Sequence, residues 1–447
     1  MIQVAGDIAL IVNGNKAVAI TTTGAKETTA TPTKSVVKVS GYGAIADVPI
    51  ANWGGNNRLP QDMLKEMDKS GIGKAGLRVR MNAHYGDGPL YYRLGDDGKP
   101  QPVKRSDPQL RDPMLFHRNV RMEALQKEAV MNFEWWGMVH MELLVNQNAT
   151  QITSGRCRKS AWIRHSLTNE ETGRIEWAAH NPNWALGDNT QARLIAMCDP
   201  WWTPEELRDW LRSTGYRKFV FPVFIPDPDM GYYPDLEWHA LYNNGWLAQT
   251  NSIPAYKEAM FKNQISIKWL IKIPRNYWPA KFGEEAWEAL SPAEKEAKKK
   301  EVYDLIQKYL SGAENAGKAL ITEMQVNDMG QPLPGWDVIP LDDKLKDGAF
   351  LPDANKGNSE ILASMLVDPT LLGQGASGTL GAGSGSDKRE AYNILTALLY
   401  TSQEQTVEWW NTVKRFNGWD ESLQLGYMTR EFVPTSVDPN CTQHPTV

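Results

Sequence analysis

Residues 359–410 read SEILASMLVDPTLLGQGASGTLGAGSGSDKREAYNILTALLYTSQEQTVEWW, and the fold turns on how this stretch is understood. An apolar helical segment, Ile361 to Val367, stops at Asp368-Pro369. The fifteen residues from Gly373 to Asp387 then hold six glycines and few side chains that could anchor a core. Glycine and serine at this density predict a loop whose ends are held and whose middle is free. Beyond it, Asp387 and Glu390 form a capping-box-like pair, and Ala391, Ile394, Leu395, Leu398 and Leu399 fall at helical spacing. The pattern resumes at Trp410 and Val413 and ends at Gly418, which predicts one long helix over 388–418. Lys388 and Arg389 stand at the loop's exit. A phosphate cradle would need Gly-x-x-x-x-Gly-Lys-Ser/Thr after a strand, and neither is present here.

At 447 residues the chain has room for several domains with sizeable cores. It is 41% hydrophobic and 23% charged, the composition of an ordinary globular protein. A formal charge of −5 provides no global basic field toward nucleic acid or membrane, so any contact with DNA has to be local or set by shape. Cys157, Cys198 and Cys441 lack CxxC spacing, which argues against a disulfide framework or a structural zinc. The first residues, MIQVAGDIALIVNG, have no basic region ahead of a long apolar run. No later run is long enough to span a bilayer, so no membrane partner is expected.

Taken in order, residues 1–45 read as an N-terminal arm because of the Thr-rich TTTGAKETTATPTK; a frayed terminus is the alternative. Next come a turn at Gly54 to Asn57 and a helix beginning at Pro60 with Met63, Leu64 and Met67 on one face. A pattern of Leu77, Val79 and Met81 precedes a Gly86 to Gly88 turn and a strand at Leu90 to Leu94. An amphipathic helix around Met122, Leu125, Ala129 and Phe133 should break at Trp135-Trp136-Gly137, before a strand carrying Val139, Met141 and Leu143. WIRHSL and RIEWAAH suggest a hairpin, PWWTPEELRDWLRSTG a helix capped at Thr203-Pro204, and FVFPVFI a buried strand. Ser252 and Pro254 read as the start of a helix over 252–264. Ile265, Trp269, Ile271 and Ile273 then alternate as a strand, and Lys257, Lys262, Lys268 and Lys272 stand against the single acid Glu258. A charged helix from Pro292 to about Leu310 bears Lys298, Lys299 and Lys300 and is followed by glycine-rich turns and an apolar strand at Ala319 to Met324.

No catalytic constellation emerges. Gly312 to Lys318 has P-loop glycine and lysine spacing, but Ala319 lacks the magnesium-binding hydroxyl and a helix precedes it. His84, His117, His140, His165, His180, His239 and His444 show no ligand spacing, and each reads as an isolated structural histidine. Asp227-Pro228-Asp229 lacks the later residues of a calcium loop, and no Gly-x-Ser-x-Gly elbow exists. Neither cofactor nor metal is expected. The eighteen tryptophans point to cores and subunit interfaces.

The order of these parts, from Trp53-Gly54-Gly55-Asn56-Asn57-Arg58-Leu59-Pro60 and the Gly86-Asp87-Gly88 turn, through the helix-to-strand passage at Pro254 to Ile273 and the Gly312 to Lys318 turn, to Val-Asp-Pro-Thr-Leu-Leu-Gly before a glycine-serine loop, resembles the portal proteins of tailed bacteriophages. The resemblance spans about Trp53 to Gly418. It implies an α+β multidomain, non-enzymatic subunit of a ring, usually of twelve copies, at one capsid vertex in the virion, assembled in host cytoplasm. Residues 46–251 and the late helix 388–418 would be the wing, 252–264 a stem helix, 265–341 the clip, and 342–372 the returning stem. Residues 373–387 would match the tunnel loop facing double-stranded DNA, through Gly373, Gly375, Ser377, Gly378, Gly381, Gly383, Ser384, Gly385, Ser386, Lys388 and Arg389. Lys257, Lys262, Lys268 and Lys272 would line the stem's channel face. Lys298, Lys299 and Lys300 would face the terminase large subunit and the neck or tail adaptor. Major capsid or scaffolding protein is the remaining implied partner. Only 29 residues follow Gly418, so a large helical crown is not expected in the tail 419–447. The alternatives are a cytosolic nucleotide-binding enzyme using Gly312 to Lys318 and another head-tail adaptor or minor capsid protein.

Overall fold

The computed structural model describes residues 2–5, 8–13, 16–21, 34–40, 45–184, 192–228, 231–264, 269–311, 337–340, 351–373 and 385–429. The chain forms two compact units, one of Met1–Asn251 with Asp353–Val447 and the other of Ser252–Pro352.

The larger unit begins with β1 (Ile2–Ala5), β2 (Ile8–Asn13) and β3 (Lys16–Thr21) in an antiparallel meander, followed by β4 (Lys34–Ser40) paired with β5 (Ile45–Ala51). Much of what reads as an unpacked arm therefore forms strands, as its Val- and Ile-rich runs favour; the Thr-rich residues 22–33 lie outside the described residues. Helices α1 (Leu59–Lys69) and α2 (Gly71–Tyr85) meet at Ser70, whose hydroxyl accepts the Gly73 N–H at 3.1 Å and caps α2. The next elements are β6 (Pro89–Leu94), β7 (Pro100–Pro102), α3 (Arg111–Val120) and α4 (Met122–Trp136). Gly137, at φ +65°, stops α4 as its sequence position predicts.

Beyond Gly137 run β8 (Met138–Val145), β9 (Ile152–Arg158), β10 (Ile163–His165), β11 (Trp177–His180), β12 (Arg193–Ala196), α5 (Pro204–Thr214) and β13 (Lys218–Phe224). The expected hairpin is the antiparallel pair of β10 and β11, and Thr203 with Glu206 completes a capping box on α5. Strand β8 sits between β13 and β9, with Met141 opposite Phe221 and Cys157. Val139, Met141 and Leu143 are fully buried, but so are the alternating Met138, His140 and Glu142, because β8 is covered on both faces. Glu142 is tolerated there because it accepts from Arg156 and Arg158 at 2.8 and 2.7 Å; burial alone would raise its pKa, and these hydrogen bonds bring it below the usual carboxylate range.

Helix α6 (His239–Asn243) leads to α7 (Trp246–Gln264), through which the chain leaves the larger unit. Here sequence reading is corrected: the helix expected to start at Ser252 begins six residues earlier, where Asn244 Oδ1 accepts the Trp246 N–H at 3.0 Å, and Pro254 lies inside it. The smaller unit contains β14 (Trp269–Lys272), α8 (Tyr277–Phe282), α9 (Glu284–Glu288), α10 (Pro292–Ser311) and β15 (Asp337–Pro340), which pairs antiparallel with β14. Its core is Trp278, Trp287, Val302 and Ile306, with the two indoles stacked 6.1 Å apart. The Gly312 to Lys318 turn and the strand expected at Ala319 to Met324 lie outside the described residues.

The chain returns through α11 (Leu351–Ser364), and after the glycine stretch come α12 (Gly385–Leu398), α13 (Tyr400–Thr406), α14 (Glu408–Asn417) and β16 (Gln424–Tyr427). The single long helix expected over 388–418 is thus three helices interrupted at Leu399 and Val407. Asp387 lies within the first turn of α12, where it complements the helix dipole rather than capping the end. Trp409, Trp410, Val413 and Phe416 of α14 join Phe133, Met141 and Phe221 in the main core. Strand β16 completes a sheet with β6 and β7. Among the described residues no helix is long and apolar enough to cross a membrane.

Candidate functional site: the frame of the glycine loop

Both flanks of the glycine stretch rest on α2. Gly76 of α2 has no Cβ; one placed there would stand 2.9 Å from Met365 Sδ and 3.2 Å from Leu362 Cδ2, so the glycine lets α11 press against the helix. Ile361, Leu362, Met365 and Val367 are buried in one core with Met63, Met67, Leu77 and Trp238. Three residues short of the predicted stop, α11 closes in a Schellman turn: Val367 N–H donates to Leu362 O at 3.0 Å and Leu366 N–H to Ala363 O at 2.9 Å. Leu366 occupies the left-handed position at φ 55°, where glycine is the usual residue. Asp368 Oδ1 then accepts the Thr370 N–H at 2.8 Å and caps a 3₁₀ turn, Pro369–Leu372, which Gly373 ends at φ +74°. Leu371 of that turn packs with Ala83 of α2 and with Leu395 and Leu399 beyond the loop.

A buried polar network joins the same flanks. Arg80 and His84, one turn apart on α2, both reach the Glu134 carboxylate of α4: Arg80 Nε donates to Oε2, and His84 Nδ1 lies 2.5 Å from Oε1. Arg80 Nη1 also donates to the Met365 carbonyl at 2.9 Å, at the C-terminal end of α11. On the other side His84 Nε2 meets Thr406 Oγ1 at 3.0 Å, and Gln403 donates to the His84 carbonyl at 2.8 Å, both from α13. Thr406 continues to Tyr427 of β16 at 3.2 Å, and Tyr427 donates to Gln126 at 3.0 Å. Burial pushes the Glu134 pKa up, but the His84 hydrogen bond and the Arg80 charge outweigh it and keep the group ionised below the usual carboxylate range. The adjoining cavity, lined by Arg80, Glu134, Ser364 and Met365 among others, measures about 10 Å³, room for one water and not for a substrate.

Of the residues expected to face DNA, Gly375, Ser377, Gly378, Gly381, Gly383 and Ser384 lie outside the described residues. Gly373 closes the 3₁₀ turn, Gly385 and Ser386 open α12, Lys388 is exposed and Arg389 half-buried. Among the described residues neither cation has an ion pair. Lys257 is half-buried on α7 and Lys272 exposed on β14, whereas Lys268 and the Lys262 side chain lie outside the described residues. The α10 lysines already have intrachain partners in part: Lys298 pairs with Glu301 at 3.4 Å, Lys299 Nζ sits 5.9 Å from the Trp278 ring, and Lys300 is exposed.

Sequence reading missed the grouping of the histidines. His84 belongs to the network above, and His140 Nε2 lies 2.8 Å from His165 Nε2. His165 Nδ1 donates to the Tyr232 carbonyl at 2.7 Å, which leaves its Nε2 to accept from His140. Burial pushes both pKa values down, His165 to about 4, so this pair is a neutral hydrogen-bonded link. Only the i, i+4 placement of Arg80 and His84 hinted at a shared partner. Among the described residues no group of histidine, cysteine or carboxylate side chains could hold a metal ion.

No protein-family model matches the sequence, and no curated protein does. Solved structures do match at the level of the fold. The chain is similar to one in the neck of an empty GTA particle computed with C6 symmetry, at TM-score 0.54 and 16% identity over 83% of this chain and 84% of that one. It is similar also to one in the neck of a native GTA particle computed with C12 symmetry, at 0.51 and 15% over 82% and 83%. A third is in the virion of a native gene transfer agent (GTA) particle, at 0.53 and 15% over 83% and 84%. Coverage of this extent in both directions establishes a shared mixed α/β fold.

Proposed function

We propose that this protein is a structural subunit of a phage-like head-tail junction, and specifically a portal-type subunit that forms a ring around double-stranded DNA in the virion. The observation that carries this reading is the agreement of two independent findings. The order of helix, helix-strand passage, glycine loop and late helical stretch resembles portal proteins, and the fold matches neck chains of GTA particles over 83% of the sequence. Symmetry in those neck structures supports a ring of copies here. In this reading 46–251 with 388–418 is the wing, 252–264 a stem helix, 265–341 the clip that docks terminase and the neck adaptor, and 342–372 the returning stem. Residues 373–387 face DNA, and major capsid or scaffolding protein surrounds the ring. The compact unit beginning at Ser252 supports a separate stem-and-clip part.

The physical chemistry fits passage rather than capture. Each phosphate neutralised by lysine or arginine adds salt-sensitive affinity, and tight binding opposes sliding. A glycine-serine loop flanked only by Lys388 and Arg389, in a chain of formal charge −5, offers weak contact without sequence preference. The chain's part is structural, and the work of translocation falls to an ATPase partner. Deleting Gly375 to Gly385 tests the loop's role: particles should assemble normally yet package or retain less DNA, measured as protected DNA per particle. Failure of assembly would instead make the segment structural. No observation favours the nucleotide-binding reading. A different neck or minor capsid role shares the fold argument and differs in channel geometry.

A further inference from the structure

Glu134 is a buried carboxylate that reaches, through Arg80 on one side and His84 on the other, the helix that precedes the glycine stretch and the helices that follow it. On one side Arg80 divides its guanidinium between Glu134 and the Met365 carbonyl, immediately before the left-handed Leu366. On the other, His84 divides its ring between Glu134 and Thr406, the last residue of α13. Glu134 has 3% exposure, and His84 and Thr406 have none. Apolar side chains of similar volume could fill this space without the cost of desolvating charges, but they would not specify where each neighbour sits; directional, charge-assisted hydrogen bonds do. Apolar packing holds α11 and α12 on α2, and the network adds directional contacts to the end of α11 and to α13.

We propose that Arg80, Glu134 and His84 are positioning residues that lock the two flanks of residues 374–384 into one frame on α2, whatever those residues touch. The consequence is specific to each arm. Arg80→Lys keeps a cation for Glu134, but a single ammonium at the end of a flexible stem does not reproduce the planar fork shared with Met365. In R80K, amide hydrogen exchange over 366–373 should quicken at least tenfold while 400–406 and the internal reference strands β8 and β13 stay unchanged. In the apolar triple variant R80M/H84F/E134L both flanks should quicken, with the reference strands and the thermal midpoint close to those of the unaltered protein. The proposal is overturned if R80K quickens both flanks equally or neither. It is also overturned if the triple variant leaves both flanks unchanged, quickens them only in step with β8 and β13, or cannot fold, which would make the network a source of stability rather than of position. Because these readouts need no DNA, their failure is distinguishable from failure of the portal reading.

Discussion

Arg164 shows why the Trp53-to-Pro60 motif has the residues it does. Its guanidinium is fully buried between the rings of Trp53 and Trp184, 5.4 and 5.0 Å away, with no carboxylate partner among the described residues. Asn57, at φ 59°, accepts from Arg164 Nε at 2.5 Å and from the Trp53 N–H at 3.0 Å, while its carbonyl accepts from Arg164 Nη2 at 2.8 Å. The turn is wrapped around a cation whose pKa burial pulls down to about 10. The neutral histidines carry a pH dependence. His140 and His165 are fully buried and titrate below their unfolded value near 6.5, so between about pH 6.5 and 4 the unfolded chain binds more protons and stability falls as acid is added. Each fully buried histidine contributes a slope of about 1.4 kcal/mol per pH unit in that window. Denaturant titrations at pH 7, 6 and 5 should show this loss, and His165→Gln should make it shallower while His140 and His180, also pushed down by burial, keep the remainder; a flat profile in the unaltered protein would contradict the assignment. Glu134 and Glu142, held low, add a further loss only below the usual carboxylate range.

At the scale of elements, strand β16 depends on Gly86. That residue ends α2 at φ +55°, and a Cβ there would overlap the Met428 carbonyl, which accepts the Asp87 N–H at 2.8 Å. A backbone neighbour cannot swing aside as a side chain can. Gly86→Ala should therefore destabilise the larger unit by about 2 kcal/mol, with exchange rising first in 424–427, as a denaturant midpoint and amide exchange would reveal. Elements with strong local signals were legible in the sequence: the amphipathic α4 with its Gly137 stop, the alternation in β8, and Thr203-Pro204 with Glu206 on α5. Others failed for identifiable reasons. Pro254 looks like a helix start because proline suits a first turn, yet α7 begins at Trp246 and carries the proline inside. Strand β16 was overlooked although Leu423, Leu425 and Tyr427 alternate, because a four-residue strand gains its stability from pairing with β6 rather than from propensity.

For the whole molecule, the order of parts was readable where the chemistry of the site was not. The glycine loop announced itself by composition, but its frame comes from Arg80, Glu134, Met365 and Thr406, which are up to 326 positions apart and meet only after folding. Long-range polar contacts of this kind leave no periodicity in a sequence. The shared fold with neck chains of GTA particles is consistent with the proposal, still to be tested, that copies of this chain close into a ring with a channel wide enough for duplex DNA. Electron microscopy of the purified protein tests it most directly. Closed rings with a central hole are expected, and a monodisperse monomer under all assembly conditions would contradict the ring proposal.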